Sequence, residues 1–504
     1  MLFSQAILPL SLLATAHASA IPIRNSEAQS PKLKWGPCSF NGTLPIECST
    51  LDVPLDYTDK DSTATLSLDL IKVAAVNTPS KGSILFNFGG PGGDGLNNLA
   101  SSAALLQPMT GGYHDMISFD PRGTGNTLNF SCYDSAIERT VSQLSLHQEL
   151  VNASNTALGR LWTSGKVFSD TCLDRMRENA TLVGTAFVAR DMMQIVDALG
   201  EDGKLRYWGI SYGTVLGATV ASLFPDRMDK VILDGVQNPH EYYHGLDFEM
   251  FTDSGKVFEG FLSGCVDSPD NCPLARGNAT AASLGRTMSD FFETLKYNPI
   301  QIGQSILDFS TIKNQIFSTL YWPGQWPQLA ALLDGLMTGN LTDSADGSEG
   351  SSESAPGFAE ALAGIKCGDK STRASSLSDV TPLINQNLQS IKWFGDLAST
   401  AAMQCIRWGG EAKERYGGNF RVKTSHPVLV IGNTYDPSTP LVSARNVSAG
   451  LEGSVLLQQN SYGHTSIAQP SNCTIGHIQQ YFLNGTLPSP GTVCEPNYPL
   501  FHKA

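Results

Sequence analysis

Eight short strand-like stretches recur along this chain, most of them closed by a turn rich in Gly or Asp. Residues 51–57 read as a strand, and residues 64–71 alternate polar and apolar side chains. Residues 83–88, 116–119, 205–208, 231–233, 428–431 and 455–457 scarcely alternate. Apolar runs without alternation are what a sheet covered on both faces requires, because every side chain then enters a core. Between two of these runs, apolar residues fall at 187, 188, 192, 195, 196 and 199, the spacing of an amphipathic helix over Thr185–Leu199. Alternation of strand and helix predicts an α/β fold with a mainly parallel central sheet.

The rhythm breaks once. Residues 237–427 contain helix-like stretches, the Trp- and Pro-rich Tyr321-Trp322-Pro323-Gly324-Gln325-Trp326-Pro327, and no convincing buried strand. An acidic, Ser-rich stretch at 342–357 has the composition of a disordered surface loop. The expected division is therefore a core in two parts, 21–236 and 421–504, interrupted by a mostly helical cap at 237–420. The chain has 504 residues, 41% apolar and 16% charged, so it is neither disordered nor fibrous. Its 33 Lys and Arg against 47 Asp and Glu leave a net charge of −14, which argues against a nucleic-acid partner, whose phosphates reward a basic face.

The first 20 residues hold no Asp, Glu, Lys or Arg. Their apolar run at 6–13 and the following Ala18-Ser19-Ala20 predict a signal peptide over 1–20, too short to span a bilayer. Nine N-x-S/T acceptors support export: Asn41, Asn129, Asn152, Asn179, Asn278, Asn340, Asn446, Asn472 and Asn484. So do ten cysteines, an even number suited to an oxidising compartment: Cys38, Cys48, Cys132, Cys172, Cys265, Cys272, Cys367, Cys405, Cys473 and Cys494. Pairing in sequence order is the simplest expectation. No C-x-x-C or H-E-x-x-H motif points to a metal, and no later apolar run is long enough to anchor the chain in a membrane. The reading is a secreted, extracellular protein without a metal or other cofactor. Its oligomeric state is not written in the sequence.

The chemistry centres on Gly209-Ile210-Ser211-Tyr212-Gly213, directly after the run at 205–208 and before a helical pattern. A G-x-S-x-G pentapeptide is common by chance, but at a strand-to-helix junction it describes a nucleophile elbow, where glycines on both sides let a strained turn expose the serine. A plain Gly-rich turn would require nothing elsewhere. Here three further elements occur. Gly89-Gly90-Pro91-Gly92-Gly93-Asp94-Gly95 follows the run at 83–88 and can present backbone N–H groups to an oxyanion. It lacks the Lys and Ser/Thr of a phosphate-binding loop. Asp436 follows the run at 428–431, and His464 follows the next one, giving the chain order Ser, Asp, His. Ser211 is then the nucleophile, His464 the general base and Asp436 the residue that orients the imidazole. The N–H groups of Gly90 and Tyr212 form the expected oxyanion hole. Asp234, in Leu233-Asp234-Gly235, is the alternative acid, ranked behind Asp436. His477 falls in an apparent helix, and Asp120 and Arg122 are expected to form a structural ion pair.

Together these segments resemble the tripeptidyl aminopeptidase and prolyl aminopeptidase branch of the α/β-hydrolase serine peptidases. The resemblance rests on Asn87-Phe88-Gly89-Gly90-Pro91-Gly92-Gly93, Asp120-Pro121-Arg122-Gly123-Thr124-Gly125 and the serine pentapeptide. It continues through Leu233-Asp234-Gly235-Val236, Ile365-Lys366-Cys367-Gly368-Asp369, Asp436-Pro437-Ser438-Thr439-Pro440 and Gly463-His464. It implies an α/β-hydrolase core under a helical cap, and release of short peptides or single residues from free N-termini. Tripeptidyl members usually carry a proline where Phe88 stands and a serine where Asp94 stands. An exopeptidase must pair the substrate ammonium with a carboxylate, since burying that charge alone is costly. Asp94, Glu241 and Asp369 are the candidates. The competing expectation is an esterase or thioesterase acting on a small acyl substrate with the same three residues, because fold does not fix substrate.

Overall fold

Residues whose side chains enter a core on either side of the backbone dominate the central strands, and the sheet follows from them. The computed structural model describes residues 32–40, 42–146, 149–340 and 357–502. The expected signal peptide, Asn41 and nearly all of the expected surface loop at 342–357 lie outside the described residues.

Ten strands form one sheet: β1 (Gly36–Pro37), β2 (Glu47–Pro54), β3 (Thr65–Val73), β4 (Ser83–Asn87), β5 (Asp115–Phe119), β6 (Leu205–Ile210), β7 (Met228–Asp234), β10 (Leu429–Tyr435), β11 (Val455–Tyr462) and β12 (Val493–Cys494). β8 (Ile300–Ile302) and β9 (Ser305–Leu307) make a separate hairpin. The order across the large sheet is β1-β2-β3-β5-β4-β6-β7-β10-β11-β12. Pairing is antiparallel from β1 to β5 and parallel from there to β12. Along β2 burial alternates, as it must at a sheet edge with one wet face, whereas all six residues of β6 are buried.

Successive residues of the parallel strands feed opposite cores. Tyr207, Leu233 and Val430 face one apolar cluster, and Trp208, Ile232 and Ile431 the other. Each such side chain removed from water stabilises the fold by about 1.5–3 kcal/mol. α1 (Gly95–Met109) covers one face and α4 (Thr185–Leu199) and α5 (Gly213–Leu223) the other, while α2 (Ala136–Leu146) buries no residue and α3 (Ala157–Met176) packs in a separate cluster with Phe130 and Trp408. The anticipated helix at Thr185–Leu199 is α4, which buries Phe187, Val188, Met192, Ile195 and Val196 and ends at Gly200 with φ +66°.

Between β7 and β10 come α6 (Pro239–His244), α7 (Ser254–Asp267), α8 (Ala281–Tyr297), α9 (Phe309–Leu320), α10 (Trp326–Thr338), α11 (Phe358–Asp369), α12 (Leu377–Ser390) and α13 (Gly395–Ile406). Much of this segment packs around its own aromatic cluster, in which Phe258, Phe261, Trp326 and Phe394 are buried. Among the described residues, the β8–β9 hairpin supplies the only named strands of this insertion. α14 (Leu441–Gly450) and α15 (Asn472–Asn484) complete the chain.

Five disulfides join consecutive cysteines: 38–48, 132–172, 265–272, 367–405 and 473–494. Of the N-x-S/T acceptors, Asn129, Asn179, Asn278, Asn340, Asn446, Asn472 and Asn484 are exposed, and Asn152 is half-buried. Among the described residues no helix is long and apolar enough to cross a membrane. Arg122 corrects one expectation. Its guanidinium, wholly buried, pairs with Asp191 at 2.6 and 2.8 Å and donates to the carbonyls of Pro54 and Leu55. Asp120, its expected partner, is engaged elsewhere.

Candidate active site

Backbone strain marks the first element. Ser211 sits between β6 and α5 with φ +58°, a left-handed conformation that ordinary residues avoid. The turn is tight on both sides. A Cβ on Gly209 would stand 2.3 Å from the Gly213 carbonyl oxygen, and one on Gly213 would stand 2.5 Å from that of Asn87. Only glycine fits at either place. Ser211 N–H donates to the Asp234 carbonyl at 3.0 Å, and the Ser211 carbonyl accepts from Thr214 N–H at 2.8 Å. Within this buried turn Ser211 itself stays partly open.

The glycine loop after β4 runs beside it. Gly89, Gly90 and Gly92 all have φ near +100°, and a Cβ on Gly89 would lie 2.8 Å from the Ser211 Cβ and 3.1 Å from the Tyr212 nitrogen. Among the described residues, neither the Gly90 N–H nor the Tyr212 N–H meets an acceptor. Both are therefore available to an incoming oxyanion. Asp94 caps α1, accepting from Asn97 N–H at 2.9 Å and Asn97 Nδ2 at 2.6 Å. Asp120 accepts from Gly95 N–H and Leu96 N–H at 2.9 and 3.3 Å, and so pins the start of the same helix. Burial, with Asp94 nearby, pushes its carboxyl up to about 7.

Asp436 follows β10 and is fully buried. Its Oδ1 accepts from Ser438 N–H (2.9 Å) and Thr439 N–H (2.8 Å), and its Oδ2 from Thr439 Oγ1 (2.7 Å) and Thr465 N–H (2.9 Å). His464 Nδ1 lies 3.0 and 3.1 Å from the two oxygens. Burial alone would raise this carboxyl, but His464 and the backbone donors outweigh it and hold it below the usual carboxylate range. An ionised Asp436 keeps the proton on Nδ1, leaving the Nε2 lone pair free to accept a proton. His464 is held in turn by the insertion. Its N–H donates to the Tyr321 carbonyl at 2.9 Å, and the Tyr321 ring stands edge-on, 4.7 Å from the imidazole.

Asp234 takes another place. Its carboxylate accepts from Ser466 N–H (2.9 Å) and Ser466 Oγ (2.6 Å), and burial pushes it up to about 6. Its main chain supports the Ser211 turn while its side chain supports the loop after His464, so it joins the two. Of the remaining carboxylates, Asp369 is 1% exposed with both oxygens engaged by Thr185 and Tyr242. Glu241 is half-buried, and its Oε2 is a buried atom without a partner among the described residues. Burial and the charge of Asp247 raise its carboxyl, against Lys370. Sequence reasoning passed over Thr439 and Tyr321. Asp436-Pro437-Ser438-Thr439 was the available signal, since an aspartate two and three residues before backbone donors makes an Asx-type turn.

Residues 83–271 match the model of the alpha/beta hydrolase fold, and residues 390–494 match that of TAP-like proteins. The tripeptidyl aminopeptidase of Streptomyces lividans is 25% identical, over 95% of this chain and 90% of its own length. The serine protease Hip1 of Mycobacterium tuberculosis is 26% identical, over 92% of each chain. A carboxylesterase B of Mycobacterium tuberculosis is 25% identical, over 93% of this chain and 91% of its own.

Proposed function

The chain is an α/β hydrolase homologous along nearly its whole length to tripeptidyl aminopeptidases, and we propose that it is a secreted serine exopeptidase that releases tripeptides or single residues from free N-termini. The pairing of His464 Nδ1 with a buried, ionised Asp436, together with the strained turn that presents Ser211, is the observation that supports this reading. Ser211 Oγ attacks the scissile carbonyl while His464 Nε2 takes its proton. The charge that develops on the carbonyl oxygen falls to the N–H groups of Gly90 and Tyr212, each contributing about 3–4 kcal/mol. The C–N bond then breaks, His464 returns the proton to the leaving amine, and an acyl group remains on Ser211. Water, deprotonated by the same imidazole, attacks that ester and regenerates the serine.

Of the carboxylates considered for the substrate ammonium, Glu241 is favoured by its unpartnered oxygen. Asp94 and Asp369 have theirs committed to α1 and to Thr185. A second reading, an acyl hydrolase on a small ester or thioester, is favoured by one relative's name, carboxylesterase B. A panel separates the two: Ala-Ala-Pro and Ala p-nitroanilides with free and acetylated N-termini, beside short-chain p-nitrophenyl esters. The exopeptidase reading predicts amide cleavage that acetylation suppresses about a hundredfold or more, the scale of a buried ion pair left unmade. Equal cleavage of the acetylated amides, or turnover of esters alone, would overturn it.

A further inference from the structure

Asp369 ends α11 in a place that no substrate charge reaches without breaking existing bonds. Its Oδ1 accepts from Thr185 N–H at 3.1 Å, and its Oδ2 from Thr185 Oγ1 at 2.5 Å and the Tyr242 hydroxyl at 3.0 Å. Thr185 Oγ1 lies 2.5 Å from the Tyr212 hydroxyl. Tyr212 is the residue after Ser211, and its backbone N–H is one of the two unengaged donors described above. The other end of α11 packs against the second donor's loop: a Cβ on Gly90 would lie 3.3 Å from the Phe358 ring, and one on Gly92 would lie 2.9 Å from the Leu362 nitrogen. One helix thus touches both sides of the same small space.

We propose that Asp369 is a positioning residue for the oxyanion hole, holding Tyr212 in place through the Thr185 hydroxyl while the first turns of α11 brace the glycine loop. The proposal rests on the reading of Ser211 as nucleophile. A count of protons shows why the carboxylate form is the one that holds. When Asp369 is ionised, Thr185 Oγ1–H and Tyr242 O–H both point at it, and the Tyr212 hydroxyl donates to Thr185 Oγ1. Every proton has an acceptor. When Asp369 is protonated and donates to Thr185, Thr185 turns its proton toward Tyr212, and the Tyr212 hydroxyl can no longer donate to Thr185. The ionisable groups facing Asp369 are Tyr212, Tyr242, Tyr243 and Arg415, while Lys366 and Lys370 on its own side of the helix end are paired with Asp247. Burial therefore prevails over the hydroxyl donors and Arg415, and lifts the carboxyl to about 7.

The test is the rate at which a fluorophosphonate probe labels Ser211, with kcat and KM on Ala-Ala-Pro p-nitroanilide, between pH 5.5 and 8.5. Asp369→Asn, whose amide mimics the protonated acid, should label about tenfold more slowly at pH 8.5, less than the 10²–10³ lost with an outright donor deletion. The gap to wild type should close toward acid, and the effect of any group that both proteins share cancels in that ratio. The loss should fall on kcat with KM unchanged. Thr185→Val should behave as Asp369→Asn does, and Thr185→Ser should restore the wild-type rate. Equal labelling of both proteins at pH 8.5, a deficit constant across pH, or a loss confined to KM would overturn the proposal. Wild-type protein that fails to label overturns instead the reading of Ser211 on which the proposal stands.

Discussion

Replacing Asp436 by asparagine separates the orienting role of this carboxylate from its part in folding. Four donors besides His464 converge on it, two at each oxygen. An amide nitrogen at the Oδ1 position would face two backbone N–H groups, neither of which can turn away. At the Oδ2 position it faces Thr465 N–H and the Thr439 hydroxyl, and a hydroxyl can rotate to accept. The second placement is the cheaper, leaving one stranded N–H at about 1–3 kcal/mol. It also aims an N–H donor at His464 Nδ1 from 3.0 Å. The imidazole must then accept there and carry its proton on Nε2, the atom that has to be free to deprotonate Ser211. The expected result is a protein that folds, with a modestly lower thermal midpoint and kcat reduced about 10⁴-fold, or about 5 kcal/mol of barrier. Turnover at pH 8 and circular dichroism read the two effects separately. Asp234→Asn, made alongside, should leave kcat within about tenfold, because Asp234 bonds Ser466 and not the imidazole. A folded Asp436→Asn protein within tenfold of wild type, or an Asp234→Asn protein that loses as much, would refute the reasoning.

Three other perturbations have signed outcomes. Gly209→Ala places a methyl 2.3 Å from the Gly213 carbonyl oxygen and should abolish soluble expression, whereas Gly417→Ala, where nothing lies within 4 Å, should express normally. Arg122→Met strands the buried Asp191 carboxylate and should cost about 3–5 kcal/mol in chemical denaturation, a loss absent if the pair contributes nothing. The Asp120 carboxyl, raised by burial to about 7, stabilises the fold in its neutral form. That contribution is complete below the ordinary carboxylate range and is lost as pH rises to about 7. Asp120→Asn keeps an oxygen for Gly95 N–H and Leu96 N–H, so its stability relative to wild type should climb between about pH 4 and 7 and then level off.

What the sequence made legible depended on how local each constraint is. The Ser211 elbow could be read directly, because a turn that forces φ +58° on a serine leaves room only for glycine at 209 and 213. The parallel strands could be read because burial on both faces removes alternation, as in β6. Choices between neighbours could not. Asp234 and Asp436 end adjacent strands, and only the three-dimensional arrangement assigns Ser466 to one and His464 to the other. Arg122 shows the same limit. Asp120 is two residues away, yet that carboxylate turns to the N-terminus of α1, and Arg122 finds Asp191 on α4. Tyr321 was hidden most deeply, because its contact with His464 joins the insertion to a loop far along the chain, with no spacing to betray it.

The account stands or falls on Ser211 as the covalent nucleophile. Incubation of the purified protein with a fluorophosphonate, followed by peptide mapping by mass spectrometry, locates the adduct directly. One adduct per chain is expected, on the peptide containing Gly209-Ile210-Ser211-Tyr212-Gly213, absent from Ser211→Ala and strongly slowed in His464→Ala. An adduct on another residue, or active enzyme that forms none, would contradict it.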